Sequence, residues 1–108
     1  MPTIDEALQF LGIDYPDEVT RANAARALHT AYRTMLGGVG SEEDVSTYLA
    51  DDPRVTEIVL IYTDDLYSNR GVSAKVSGVT RRLVHDMEQQ LKLELRTAKA
   101  AAEEAVRS

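Results

Sequence analysis

VSGVTRRLVHDMEQQLKLELRTAKAAAEEAVRS, residues 76–108, decides the fold. Its apolar positions Val76, Val79, Leu83, Met87, Leu91, Leu95, Ala98 and Ala102 recur every three or four residues, and no proline follows Pro53. The spacing predicts a helix from about Ser77 to Val106. About thirty residues at 1.5 Å each make a rod of roughly 45 Å, whereas a compact chain of this length is roughly 35 Å across. Part of the rod must overhang the body that carries it. From Arg96 to Ser108 it offers five alanines and Val106, so helix propensity is high but there is little to bury. Such an end needs a partner. Leu91 and Leu95 share one face, while Leu93 lies about 200° round the helix from Leu91. That arrangement implies contacts on two sides, or else a leucine left singly exposed; the alternation of Leu91 to Leu95 also admits a strand.

Upstream, Thr3 and Glu6 form a capping box that opens a helix over Ile4 to Leu11, closed by Gly12. Asp14 and Asp17 bracket Pro16 and start a second helix, with the apolar stripe Val19, Ala22, Ala25, Leu28, Tyr32 and Met35 and a stop at Gly37-Gly38. Its alanines allow another helix close approach. Ser41 with Asp44 caps one or two turns through Leu49. Asp51 or Asp52 then caps a helix starting near Pro53, in which Val55, Ile58, Val59, Tyr62 and Leu66 form a wide apolar face suited to the centre of a bundle. Ile58 to Tyr62 also fits a buried strand, but no partner strand with turn signals lies nearby. The expected architecture is all-α, a small helical bundle over residues 1–95 with a long C-terminal helix whose alanine-rich extension, residues 96–108, projects from it.

The 108 residues leave room for one core. There is no cysteine, hence no disulfide framework and no thiolate chemistry. The N-terminus has no basic region of the secretory kind, and the longest run of large apolar residues, Ile58 to Tyr62, is far too short to span a bilayer. The expectation is a soluble cytoplasmic protein. The net charge of −6 is uneven: residues 41–65 hold eight acids against the single base Arg54. Such a surface repels nucleic acid at long range.

Chemistry-bearing patterns are absent. Neither His29 nor His85 has a metal-ligating residue four positions on. Asp51-Asp52 and Asp64-Asp65 lack calcium-loop spacing. Gly37-Gly38-Val39-Gly40-Ser41 lacks the lysine of a phosphate loop, and no serine sits in a nucleophile elbow. The reading is of a protein that is not an enzyme, with no catalytic or metal-binding residues and no cofactor.

Three pieces carry a resemblance. Residues Ile4-Asp5-Glu6-Ala7-Leu8-Gln9-Phe10-Leu11-Gly12-Ile13-Asp14 resemble the opening of tailed-phage head-to-tail connector proteins, the DNA-packaging or head-completion adaptors. Asp52-Pro53-Arg54-Val55 leads into a helix closing on Asp65-Leu66-Tyr67-Ser68-Asn69-Arg70, similar to the family's Asp-Leu-Tyr-x-Asn-Arg, and Gln90-Leu91-Lys92-Leu93-Glu94 is similar to the Gln-Leu-Arg of one branch. The resemblance covers about residues 3–95. Gly71, where the family has an acid, and the tail from Arg96 depart from it.

The resemblance implies a homomeric ring, usually of twelve copies, below the portal protein at the capsid vertex of the virion. The ring would extend the DNA channel, pass DNA non-specifically, and carry a stopper or tail-completion protein, with the host cytoplasm as the place of assembly. On that footing Leu91, Leu93 and Leu95 with Arg81, Arg82 and Arg96 are expected at subunit or portal contacts. Acids among Glu42, Glu43, Asp44, Asp51 and Asp52 are expected to face the channel or the stopper. Asp65, Tyr67, Asn69 and Arg70 form a structural motif, with Arg70 pairing a carboxylate or capping carbonyls and Asn69 supporting the turn. The competing reading is a small helical regulator, antitoxin- or anti-repressor-like, that binds one partner through its last helix and forms a stable dimer.

Overall fold

The computed structural model describes residues 1–69 and 75–107. Five helices account for the architecture: α1 Ile4–Phe10, α2 Glu18–Val39, α3 Glu42–Tyr48, α4 Pro53–Ser68 and α5 Gly78–Arg107. There is no strand among the described residues, and both Ile58 to Tyr62 and Leu91 to Leu95 are helical.

The caps lie where the sequence puts them. Thr3 Oγ1 accepts from the Glu6 amide at 3.1 Å while the Thr3 amide donates to Glu6 Oε1 at 3.2 Å. Asp17, Ser41 and Asp52 each accept an amide hydrogen bond in the first turn of α2, α3 and α4, and Pro53 occupies the first turn of α4, where no amide is needed. Gly12 follows α1 with φ +76°, a left-handed turn that suits a residue without Cβ.

α2 and α4 form the central pair; α5 lies against both and reaches α3, and α1 covers α2 and α4. Ala31, Met35, Ile58, Val59, Tyr62 and Leu91 are wholly buried between them. The molecule is elongated, 55 × 25 × 17 Å with a radius of gyration of 15.4 Å, against about 13 Å for a compact chain of this length. α5 supplies the length, and its residues 103–107 are exposed.

The structure corrects three details. The face that α2 buries is Ala24, Ala27, Leu28, Ala31, Met35 and Val39, whereas Val19 is 69% exposed and Ala22 and Ala25 face outward. Successive steps of three fall about 60° behind one turn each, so the stripe read from sequence slides around the helix. The same geometry acts in reverse on α5. Steps of four gain about 40° each, so the line Val79, Leu83, Met87, Leu91, Leu95 winds from the outside of the helix to its inside. Val79 and Leu83 are consequently exposed, while Val84, Glu88, Leu91 and Leu95 face the core.

Third, Gly37-Gly38 does not stop α2, which continues to Val39. Gly38 is there for proximity: a Cβ at this position would overlap the Glu88 carboxylate, and one at Gly40 would come within 2.5 Å of Leu95 Cδ2. Two missing side chains let α5 settle onto α2. A Cβ at Gly37 would meet nothing within 4 Å. Gly37→Ala is therefore expected to stabilise the chain by about 0.5–1 kcal/mol through helix propensity. Gly38→Ala is expected to cost about 1–3 kcal/mol because the buried carboxylate must move. Urea denaturation of the two variants checks the contrast in sign.

Candidate functional site

One surface departs from ordinary globular burial. Along the outer side of α5, Val79, Leu83 and Leu93 are 60%, 76% and 64% exposed. At 100° per residue they fall within about 80° of arc, roughly opposite the buried face. Arg82 and Arg96 are exposed beside them and have no ion-pair partner among the described residues. Leu91 and Leu95, expected at an interface, are taken up by the chain's own core at 0% and 5% exposure. Of the three leucines, only Leu93 is available to another molecule. Arg81 is also exposed, and its guanidinium carbon lies 6.0 Å from the centre of the Tyr62 ring.

What fixes this orientation is a polar contact inside the core. The Tyr62 hydroxyl donates a hydrogen bond to Glu88 Oε1, and Glu88, only 4% exposed, lies over Gly38. Burial, reinforced by the Glu88 hydrogen bond, pushes the Tyr62 phenol above its ordinary value of 10.0. Glu88 Oε2 has no hydrogen-bond partner among the described residues. Sequence reasoning missed this residue, since an acid in a charged helix looks like a solvated one. The available signal was its angle, about 60° from Leu91 and close to Leu95 and Val84.

The motif at the end of α4 proves to be a joint. Asp65 accepts from the Ser77 amide at 2.9 Å, the Ser77 hydroxyl at 3.0 Å and the Thr80 hydroxyl at 2.7 Å, tying the end of α4 to the start of α5. Burial alone would raise the Asp65 carboxyl, but these bonds outweigh it and hold the group below its ordinary 3.8. Asn69 donates from Nδ2 to the Asp65 carbonyl at 2.8 Å, capping α4. Tyr67 is half-buried against the core, and Arg70 lies outside the described residues.

The acidic segment divides. Glu42, Glu43 and Asp51 are exposed. Asp44 pairs with Lys99 at 3.1 Å, fastening α3 to α5. Asp52 caps α4 and pairs with Arg54 at 2.7 Å, while Arg54 also grips Glu94 with both terminal nitrogens at 2.6 and 2.9 Å. Hydrogen bonding to Glu94, then to Asp52, drives the Arg54 pKa up; the bond to Arg54 is the main cause that holds Asp52 and Glu94 down. At the opposite end Phe10, Tyr15 and Val19 are 44%, 97% and 69% exposed. They adjoin in sequence a shallow open groove of about 430 Å³ lined by Asp5, Leu8, Gln9, Ile13, Asp14, Pro16 and Arg21.

His29 and His85 are both exposed. Among the described residues no group of three or more His, Asp or Glu side chains could hold a metal ion, and no helix is long and apolar enough to cross a membrane. No protein-family model matches the chain, and no curated protein or solved structure is significantly similar to it.

The core contact and the joint can each be tested by substitution. Tyr62→Phe strands a buried carboxyl and is expected to cost about 1–3 kcal/mol, most of which returns in Tyr62→Phe/Glu88→Met, where both partners are apolar; denaturation midpoints of the single and double variants measure this. Asp65 takes up a proton at lower pH folded than unfolded, so its stabilisation is present above the ordinary 3.8 and disappears as pH falls through the depressed value. A thermal-melting series from pH 6 to about 2 is expected to show a shallower acid decline for Asp65→Asn than for the parent chain.

Proposed function

We propose that this chain is a structural assembly protein, a head-to-tail adaptor that forms a ring below a phage portal, extends the DNA channel and links the capsid to stopper or tail-completion proteins. The observation that carries this reading is the outer face of α5, where Val79, Leu83 and Leu93 stand in solvent on a helix long enough to draw the molecule out to 55 Å. Exposed apolar side chains sharing one face of a helix mark a surface meant to be covered. The order of sequence pieces that resembles the connector family supports the choice of assembly. Exposed Glu42, Glu43 and Asp51 suit a channel wall or a lower platform, because like charge keeps DNA from adhering. In a ring, one face of each subunit meets a different face of the next.

The test is light scattering of the chain alone and with the portal protein of the virus that encodes it, followed by electron-microscopy class averages of the mixture. The expected result is a monomer or weak oligomer alone and a ring of fixed stoichiometry on the portal. A stable dimer that ignores the portal would instead establish a small regulatory binding module.

A further inference from the structure

Two apolar surfaces of opposite charge occupy parts of the chain that do not touch. One is the outer face of α5, with Leu83 and Leu93 beside the exposed Arg82 and Arg96 and the exposed Asp86 between the two leucines. The other is the α1–α2 corner, where Phe10, Tyr15 and Val19 stand out near a groove whose apolar lining is Leu8, Ile13 and Pro16. The first 18 residues carry the five acids Asp5, Glu6, Asp14, Asp17 and Glu18 and no Lys or Arg. Arg21 engages Asp5 at 3.1 Å, while Asp14 and Glu18 have no ion-pair partner among the described residues. α1 does not pack on α5, and α2 meets α5 through the opposite, buried face of that helix, so one molecule cannot close the two surfaces on each other.

We infer that the two surfaces bind each other between copies. The α5 face of one chain docks on the α1–α2 corner of the next, its leucines covering the corner's apolar side chains and its arginines meeting Asp14 and Glu18. This rests on the self-assembling reading given above and supplies the two faces that reading requires. Pairing two α5 faces is the poorer solution. An antiparallel arrangement that sets Leu83 against Leu93 of a second copy also brings Arg82 towards Arg96 of that copy, and like charges at a contact disfavour it. Each surface offers only three large apolar side chains that stand in solvent, against about 20–30 residues a side in a standard interface, so a single contact is weak. Closing a ring makes each contact support the others.

The experiment is sedimentation velocity on the full chain without portal, using two variants altered only at exposed positions. Arg82→Glu/Leu83→Asp removes the α5 face; Asp14→Arg/Tyr15→Ser removes the corner. Circular dichroism confirms that both remain helical. The expected result is concentration-dependent association of the parent chain, weakened about tenfold between 50 and 500 mM salt, loss of association in either variant alone, and a heterodimer that grows no further when the two are mixed. Unchanged association of the corner variant, or a parent chain or a mixture that stays monomeric at about millimolar concentration, would each overturn the inference. A chain that associates in this way but leaves the portal bare would sink the adaptor reading alone.

Discussion

The seat of Glu88 between Tyr62 and Gly38 is the constraint on which the rest of the molecule depends. It joins α5, α4 and α2 at one point, and it sets the rotation of α5 about its own axis. An amphipathic helix with apolar residues on two sides has more than one way to lie on a core, and dispersion contacts alone discriminate weakly between them. A carboxylate accepted at one place only removes that freedom. With Glu88 inside, Leu91 and Leu95 fill the core, and Val79, Leu83 and Leu93 are left outside. The exposed face follows from the buried acid.

Around that point charged side chains tie helix to helix. Arg54 bridges Asp52 at the start of α4 and Glu94 in the middle of α5, Lys99 reaches Asp44 on α3, and Asp65 holds the first turn of α5. Individually such exposed pairs contribute little. Their placement matters more, because Arg54–Glu94, Lys99–Asp44 and the Asp65 bonds connect segments distant in the chain and each disfavours an α5 displaced along its axis by one turn.

Four of the five helices were legible because their starts are written in local chemistry: Thr3 with Glu6, Asp17, Ser41 and Asp52 before Pro53 satisfy amides within a few residues, with no help from the rest of the fold, whereas α5 was legible from its periodicity and has its first turn held from α4 by Asp65. The faces were only half legible. Counting threes and fours identifies a helix without fixing which way its stripe drifts, and on α2 and α5 the drift moved Val19, Val79 and Leu83 into solvent. Gly38 was misread for a related reason. A glycine pair near the end of a helix looks like a terminator, and what it accommodates lies 50 residues further on, at Glu88. Of the expected contact residues, Leu93, Arg81, Arg82 and Arg96 are accessible, Arg81 while also facing the Tyr62 ring, whereas Leu91 and Leu95 are occupied by the chain itself. Long-range partners decide such cases, and a single sequence does not print them.

Because α5 runs unbroken from the Asp65 joint to Arg107, it behaves mechanically as a stiff spindle. Whatever grasps Leu83 or Leu93 from outside also grips the shaft to which Glu88 is keyed. Torque applied at the surface is resisted by the phenol of Tyr62 and the bare backbone at Gly38, with no soft loop between to absorb it.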